Sequence, residues 1–501
     1  MISLPLAVFN INLMSSNLLL LVSVLVFVSI LVNKVGARFG VPTLLLFLLV
    51  GMLAGRDGLG IKMESHELAE SIGHFAMTII LLTGGLETSL KETRPVMKQG
   101  ILLSTAGVLL TILLTGFFTY WVASARLGAM GASLLGCMLV ATVMSSTDSA
   151  TVFNILRDKR ERLREDLGPM LELESGSNDP MAYVLTIILV EVLAAAQQLP
   201  PGSSSWPLVG KGFLILILQL VVGFAIGVGV GFGAKWILGK IRLQGGPLYA
   251  IMILSIGFFA NGIANVLHGN GLLALYVAAI LIGNYAELPY KRDILKFFDG
   301  ITWLVKLLMF LMLGLMARPS QFPAAILPAL LIGLFMIFIA RPASVFLTLL
   351  PFRKMSFRAK FFTSWVGIKG AGPILFALYP VVFGLEDSDT MFNIVFFITL
   401  LSLLIQGMTL SPMARALGLV DQEDPEVETF GMDIPEEMGM LRDHLVTEDD
   451  LAEGDTLRDL HLPHGIRVVM VRRDEKFIVP HGSLQLLVGD RLVILIGDTE
   501  D

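Results

Sequence analysis

Asn178 and Asp179 stand side by side within an apolar stretch, residues 168 to 196, that otherwise reads as a membrane-spanning helix. A charged side chain at bilayer depth costs several kcal/mol, about 2.5 to 3.5 on insertion scales, so an intramembrane carboxylate is read first as a functional group. Ser175, four residues before Asp179, shares its helix face, while Glu174 occupies the neighbouring stripe with Asn178. The preceding apolar stretch, 129 to 156, holds Ser145-Ser146-Thr147-Asp148-Ser149. Oxygen atoms of these types (Asp179, Ser175, Thr147 and backbone carbonyls freed from a helix) suit a hard monovalent cation such as K+ or Na+. Out of water the charged form of a carboxylate is costly, so proton and alkali cation compete to neutralise it. A single site that carries either one, but seldom crosses empty, suffices for exchange, and its alternating exposure to two compartments gives antiport.

The elements that must position these residues follow from composition. Only 16% of the residues are charged, and the mean hydropathy is +0.77, whereas an ordinary soluble domain carries about 25% charged residues. The expected fold is an all-α polytopic membrane protein with the lipid bilayer as its surroundings and no nucleic-acid partner. Apolar runs long enough to cross about 30 Å of hydrocarbon recur about thirteen times, near 15–33, 41–55, 71–90, 100–123, 129–156, 168–196, 208–239, 246–267, 271–286, 300–317, 323–350, 357–380 and 390–416. Lys and Arg concentrate in alternate loops: Lys34 and Arg38, Lys91 to Lys98, Arg157 to Arg164, Lys240 and Arg242, Lys291 to Lys296, and Arg353 to Lys360. The intervening loops hold only Arg56, Lys62, Arg126, Lys211 and Arg318. The positive-inside rule then places the N-terminus outside and the C-terminus in the cytoplasm. The first sixteen residues lack a basic segment and a clear cleavage site, so no removable signal peptide is expected. The single cysteine, Cys137, excludes an internal disulfide or a cysteine-based metal cluster.

Two runs are interrupted. The fifth contains the Ser145 to Ser149 segment and the twelfth contains Gly367-Ile368-Lys369-Gly370-Ala371-Gly372-Pro373. Both compositions favour locally unwound backbone, which survives at membrane depth only where it lines a polar cavity. The two runs lie seven apart and so cross in opposite directions, as an inverted repeat with paired discontinuous helices requires. At ~1.5 Å rise per residue, Asp179 lies ~17 Å from Gly168 and Asp148 lies ~14 Å from Arg157, a shared level near the midplane. Arg341 reaches a similar height, where Glu174 is its expected structural partner, since a buried arginine without a carboxylate is prohibitive. Lys369 is expected to neutralise half-helix C-terminal ends and nearby carboxylates. Asp148 either caps a half-helix or contacts the ion. Glu87, close to Lys91, reads as a helix-end charge at the membrane interface.

From about Val420 the chain turns polar and acidic, with Asp421, Glu423, Asp424, Glu426 and Glu428 opening a linker. Short strands follow at 467–472, 477–479 and 491–496, with Arg473-Asp474-Glu475-Lys476 as a hairpin-like turn. The expected division is a transmembrane domain over 1–417 and a small cytoplasmic α+β or β-rich domain over 418–501. A module of about 80 residues is near the lower limit for an independent core, which favours a partner copy.

The runs Ser146-Thr147-Asp148-Ser149 and Glu174-Ser175-Gly176-Ser177-Asn178-Asp179-Pro180 resemble the paired motifs of the monovalent cation:proton antiporters of family one, in their bacterial NhaP-type branch. Gly367 to Pro373 resembles that family's broken twelfth helix, and Gly84-Gly85-Leu86-Glu87 its third-span signature. The resemblance implies a cation and proton site at Asp179 with Ser175, Asp148 and the Thr147 backbone, and it adds Asn178 and Glu87 to the candidates. It implies a structural Glu174 to Arg341 pair, and electroneutral one-for-one exchange because Asn178 stands where the electrogenic branch carries a second Asp. It also implies a homodimer in a bacterial inner membrane, in which a core domain moves against a dimerisation domain. Ser149 departs from the proline that often follows Thr-Asp. In the tail, Ile478-Val479-Pro480-His481-Gly482-Ser483 and Gly489-Asp490-Arg491-Leu492 resemble the TrkA C-terminal type of regulatory domain. This implies an unidentified regulatory ligand and tilts the substrate toward potassium. No cofactor is expected, and related chains often continue past this module. The alternative from another class is a potassium channel gated by the same domain, though no Thr-Val-Gly-Tyr-Gly-like filter is present. No enzyme is expected: His66-Glu67 lacks the second His of a zinc protease, and no Gly-x-Ser-x-Gly elbow occurs.

Overall fold

Helix lies along each of the apolar runs, and the polar residues that bound or interrupt the runs fix where each begins and ends. The computed structural model describes residues 16–36, 42–61, 65–125, 133–158, 161–198, 206–286, 288–422, 441–447, 450–451, 454–460, 466–473 and 476–496. The basic residues Arg38, Lys62, Arg126, Lys159 and Arg160, the chain before Ser16, the acidic linker from Glu423 and the Asp474-Glu475 turn lie outside these described residues. The chain divides into two compact units, 1–421 and 422–501.

In the first unit, eight helices among the described residues are long and apolar enough to cross a membrane, and five further apolar helices are shorter. Ser65 accepts the Leu68 N–H at 3.1 Å and so starts the His66–Glu87 helix ahead of the apolar run that begins at 71. Asn270 caps Gly271–Tyr285 in the same way, accepting the Leu273 N–H at 3.0 Å. Its amide also donates to the Pro180 carbonyl at 3.0 Å, which anchors this helix beside Asp179. Thr43–Ala54 and Lys291–Met316 pack backbone against backbone: a Cβ on Gly51 would fall 2.3 Å from the Leu311 oxygen, and one on Gly314 would fall 2.3 Å from the Leu48 oxygen.

Three long helices widen into π turns, at Leu103–Gly107, Met336–Ala340 and Leu403–Gly407. A π turn frees a carbonyl and re-aims the side chains beyond it. The Gly107 carbonyl accepts Ser344 Oγ from another helix at 2.7 Å. The other two π turns end at Arg341 and contain Gln406, both of which reach toward the site described below.

Helix is absent at 144–148, between Leu134–Val143 and Ser149–Asp158, and at 366–370, between Phe357–Trp365 and Ala371–Phe376. The two non-helical segments cross, and the Asp148 N–H donates to the Ile368 carbonyl at 2.9 Å. At the other side of Asp148, the loop before the Leu167–Gln197 helix forms a short strand, Glu161–Leu163, which pairs with Val420–Gln422. The Arg164 N–H donates to the Leu419 carbonyl at 2.9 Å. The buried Glu161 carboxylate receives Ser411 Oγ at 2.8 Å and the Arg415 guanidinium, so this strand pair is closed by charge as well as by backbone bonds.

The second unit is a four-stranded antiparallel sheet in the order Leu441–Leu445, Arg491–Ile496, Ile466–Arg473, Lys476–Ile478. The first of these strands is absent from the sequence expectation, because Leu441-Arg442-Asp443-His444-Leu445 carries three charged or titratable residues in five. It is held by its register against Arg491–Ile496. Val446, Val471, Leu486, Leu492 and Ile494 form the core.

Asp490 is buried beside this core. It accepts Arg473 Nε at 2.9 Å, Arg473 Nη2 at 2.8 Å and the Leu487 N–H at 2.8 Å. Burial pushes its carboxyl up, but the Arg473 and Leu487 bonds outweigh burial and hold it below the usual carboxylate range. The stability this adds is therefore complete above the unfolded value of about 3.9 and is lost as pH falls through the lower folded value. Asp490→Asn is expected to cost the unit about 1 to 3 kcal/mol and to remove that acid dependence. Hydrogen exchange at the Val471 and Leu492 amides of the full chain, followed against pH, measures both.

Candidate functional site

Three residues on one face of the Leu167–Gln197 helix grip the first non-helical segment. Ser175 Oγ donates to the Thr147 carbonyl at 2.8 Å and accepts the Ser149 N–H at 3.1 Å. Asn178 Nδ2 donates to Thr147 Oγ1 at 2.5 Å, and its Oδ1 lies 3.5 Å from the Thr147 nitrogen. Asp179 Oδ1 accepts the Ser146 hydroxyl. At about 100° per residue Ser175 lies between Asn178 and Asp179 in angle, and all three fall within about 100° of one another, so one helix face meets Ser146, Thr147 and Ser149 of the non-helical segment and its exit.

Asp148 caps the half-helix that follows: Oδ1 accepts the Thr151 N–H at 2.9 Å and Oδ2 accepts Thr151 Oγ1 at 2.6 Å. Of the two roles open in the sequence, capping is the one with a bond in the structure, while Asp148 also lines the pocket described below. Lys369 Nζ donates to the Ser146 carbonyl at 2.9 Å and lies 3.5 Å from the Ser145 carbonyl. These are carbonyls that the interrupted helix leaves unpaired, and a buried cation offsets their dipole. The second segment is held by Ser402, whose Oγ accepts the Lys369 N–H at 2.9 Å and donates to Gln406 at 2.6 Å. Gln406 in turn donates to the Trp365 carbonyl at 2.8 Å. Glu174 and Arg341 form a direct ion pair with exposures of 1% and 4%, so both charges are out of water and each depends on the other.

Ser146, Thr147, Asp148 and Asp179 line a pocket with Met77, Ile80, Lys306, Met309, Phe310 and Gly372. Carboxylate, hydroxyl and backbone oxygens converge here against apolar walls, an arrangement that can hold a hard monovalent cation or a proton. Ser146 and Lys306 were not among the sequence candidates. Lys306 is buried on the Lys291–Met316 helix, and the rule that singled out Asp179, an ionisable group deep in an apolar run, would have found it. Glu87 lies apart from this pocket. It is exposed as the last residue of the His66–Glu87 helix, ~10 Å of helix beyond Ile80, and does not line the pocket.

The narrowest point of the crossing is Gly370, where a Cβ would fall 2.1 Å from Asp148 Oδ2 and 2.7 Å from Asp148 Cβ. Because Thr151 holds Asp148 in place, a methyl group here must push the two segments apart. Gly370→Ala is expected to destabilise the purified protein by about 1 to 3 kcal/mol, read as a lowered unfolding midpoint in detergent.

A carboxylate set against crossed helix interruptions inside an apolar helical unit is the architecture of a secondary transporter. The chain belongs to the sodium/hydrogen exchanger family, whose transmembrane region it matches over residues 20–416, and residues 441–500 match the TrkA-C domain. It is 35% identical over 475 residues to the K(+)/H(+) antiporter NhaP2 of Shewanella baltica (strain OS223), covering 93% of this chain and 79% of that protein. It is also 35% identical over 483 residues to the K(+)/H(+) antiporter NhaP of Alkalimonas amylolytica, covering 95% of this chain and 80% of the relative. Its fold is similar to that of the sodium proton antiporter MjNhaP1 from Methanocaldococcus jannaschii, with a TM-score of 0.65 and 21% identity over 79% of this chain and 97% of that one. The family is one of transporters, and relatives matched over nearly the whole chain carry antiporter names, which leaves the gated-channel alternative without support.

Proposed function

We propose that the chain exchanges cytoplasmic K+, or Na+, for external H+ in a bacterial inner membrane, with Asp179 as the exchanging carboxylate. The observation that carries this reading is the meeting of Asp179 with the Ser146-Thr147 segment in a pocket of converging oxygens. Asp179, the Thr147 carbonyl and Ser175 supply cation ligands, Asp148 lines the same pocket, and Asn178 fixes Thr147 without adding a charge. One carboxylate with a neutral neighbour gives one charge per cycle in each direction, hence electroneutral exchange. Potassium is favoured by the names of the relatives that share both the transmembrane region and the tail.

In this reading about thirteen spans, two of them discontinuous, cross with the N-terminus outside and the C-terminal unit in the cytoplasm. The protein is a homodimer in which the site-bearing helices move against the rest, and the TrkA-C unit takes a regulatory ligand. The test is cation-induced dequenching of a pH-sensitive dye in everted vesicles. Addition of K+ is expected to move protons out of the lumen with no dependence on membrane potential, and Na+ and Li+ rank behind it. A K+ flux that ignores the proton gradient would overturn the proposal.

A further inference from the structure

Lys306 lines the pocket that holds Asp179, and the exchange reading gives it no role. The residue is only 7% exposed. It stands ~22 Å along its helix from Lys291 and ~15 Å from Met316, too far for a lysine to carry its charge to either membrane face. Its backbone is well fixed. Gly51 and Gly314 hold the Lys291–Met316 helix against Thr43–Ala54, and Thr302, one turn before Lys306, shares a 2.8 Å hydrogen bond with Thr83 of the His66–Glu87 helix. Met309 and Phe310, three and four residues on, share the Lys306 face and line the same pocket, with Met77 and Ile80 beside them. The crossed segments, the half-helix after Gly370 and Asp179 make up the rest of the lining. Among the described residues of that lining Lys306 is the one basic group, against two carboxylates, Asp148 and Asp179. Lys369 is turned instead to the Ser146 carbonyl.

We propose that Lys306 sets the charge of this pocket so that it admits monovalent cations and rejects divalent ones. The proposal rests on the antiport reading, with Asp179 as the exchanging carboxylate. Two carboxylates with hydroxyl and carbonyl oxygens are the donors that a divalent cation such as Ca2+ takes. The Lys306 ammonium cancels one of the two negative charges, and the one that remains is matched by a single K+ or H+. Repulsion between the ammonium and an entering ion grows in proportion to the charge of that ion. A factor in affinity that K+ loses to Lys306 is therefore squared for Ca2+ at the same place. The apolar walls of Met77, Ile80, Met309 and Phe310 keep the repulsion strong by leaving less water to screen it. A proton carries the same single charge as K+, so Lys306 leaves the balance between these two at Asp179 unchanged.

The test uses the purified full chain in liposomes that hold a pH-sensitive dye, at alkaline pH, where protons compete least. The half-saturating K+ concentration and the inhibition constant for added Ca2+ are measured together. In Lys306→Met the first is expected to fall about fivefold and the second about 25-fold, the square of that factor. Methionine keeps the length of the side chain without its charge, and Lys306→Gln is a second neutral variant read in the same way. Lys306→Arg keeps the charge and is expected to hold both constants near those of the unmodified protein. Half-saturation by K+ that is unchanged or weakened in the neutral variants would overturn the proposal. So would K+ and Ca2+ constants that fall by one common factor, exchange abolished in folded neutral variants, or an arginine variant that behaves as the methionine one does. The antiport reading fails separately: in that case the unmodified protein itself moves no protons when K+ is added.

Discussion

Asp179→Asn is expected to reduce cation-driven proton movement to background, a loss of about a hundredfold or more, while the protein remains folded in the membrane. Asparagine has nearly the shape of aspartate and can still accept the Ser146 hydroxyl, so the grip of the Leu167–Gln197 helix on the 144–148 segment survives. What is lost is the negative charge and the oxygen that takes a proton. The amide cannot be neutralised by either substrate, so neither is carried. Replacing a charge at bilayer depth by a neutral group removes a desolvation cost, and the unfolding midpoint in detergent is expected to hold or rise. Dequenching and thermal unfolding on the same preparation separate the two effects. Full exchange by the Asn variant would remove Asp179 from the mechanism.

The second large effect lies in stability. Arg341→Ala or Glu174→Gln leaves one charge buried without its partner, and each is expected to cost about 3 to 5 kcal/mol. The loss is seen as poor membrane accumulation and a strongly lowered unfolding midpoint. The pair has few alternatives, since Glu174 is 1% and Arg341 4% exposed and, among the described residues, Arg341 Nε has no hydrogen-bond partner. Replacing both by apolar residues of similar size, Glu174→Leu with Arg341→Met, is expected to recover most of the stability because no charge is then stranded. Glu174 precedes Asn178 by one helical turn, so the single variants also disturb the placement of Asn178 against Thr147. A double variant as unstable as the singles would mean that the two side chains contribute by packing rather than by pairing.

Ionisable and backbone-breaking residues stood out in the sequence wherever the lipid makes them costly. Asp179, the Thr147-Asp148 interruption, the Gly367 to Pro373 interruption and the Glu174 to Arg341 pair all depart from an apolar background, and counting residues along helices placed Asp179, Asp148 and Arg341 at similar depth. The same contrast explains what was harder to read. Ser146 looks like any hydroxyl residue that bonds to its own helix, and only the crossing of the two segments turns it toward Asp179. Lys306 was open to the same reading as Asp179, since it stands inside the apolar run 300–317, but only the packing of the Lys291–Met316 helix brings it to the pocket. Glu87 resembles a site residue by local pattern, yet its position is set by where its helix ends. In the second unit, Leu441–Leu445 has too many charges to read as a strand and becomes one through its partner.

The short strand Glu161–Leu163 sits in the loop that joins the half-helix bearing the Asp148 cap to the helix bearing Asp179, and its partner Val420–Gln422 is where the chain leaves the helical unit. Backbone bonds, Ser411 and Arg415 fasten the two together. That loop and that exit are therefore a single mechanical part. The connection between the two site helices is thus fastened to the residues where the chain leaves the helical unit.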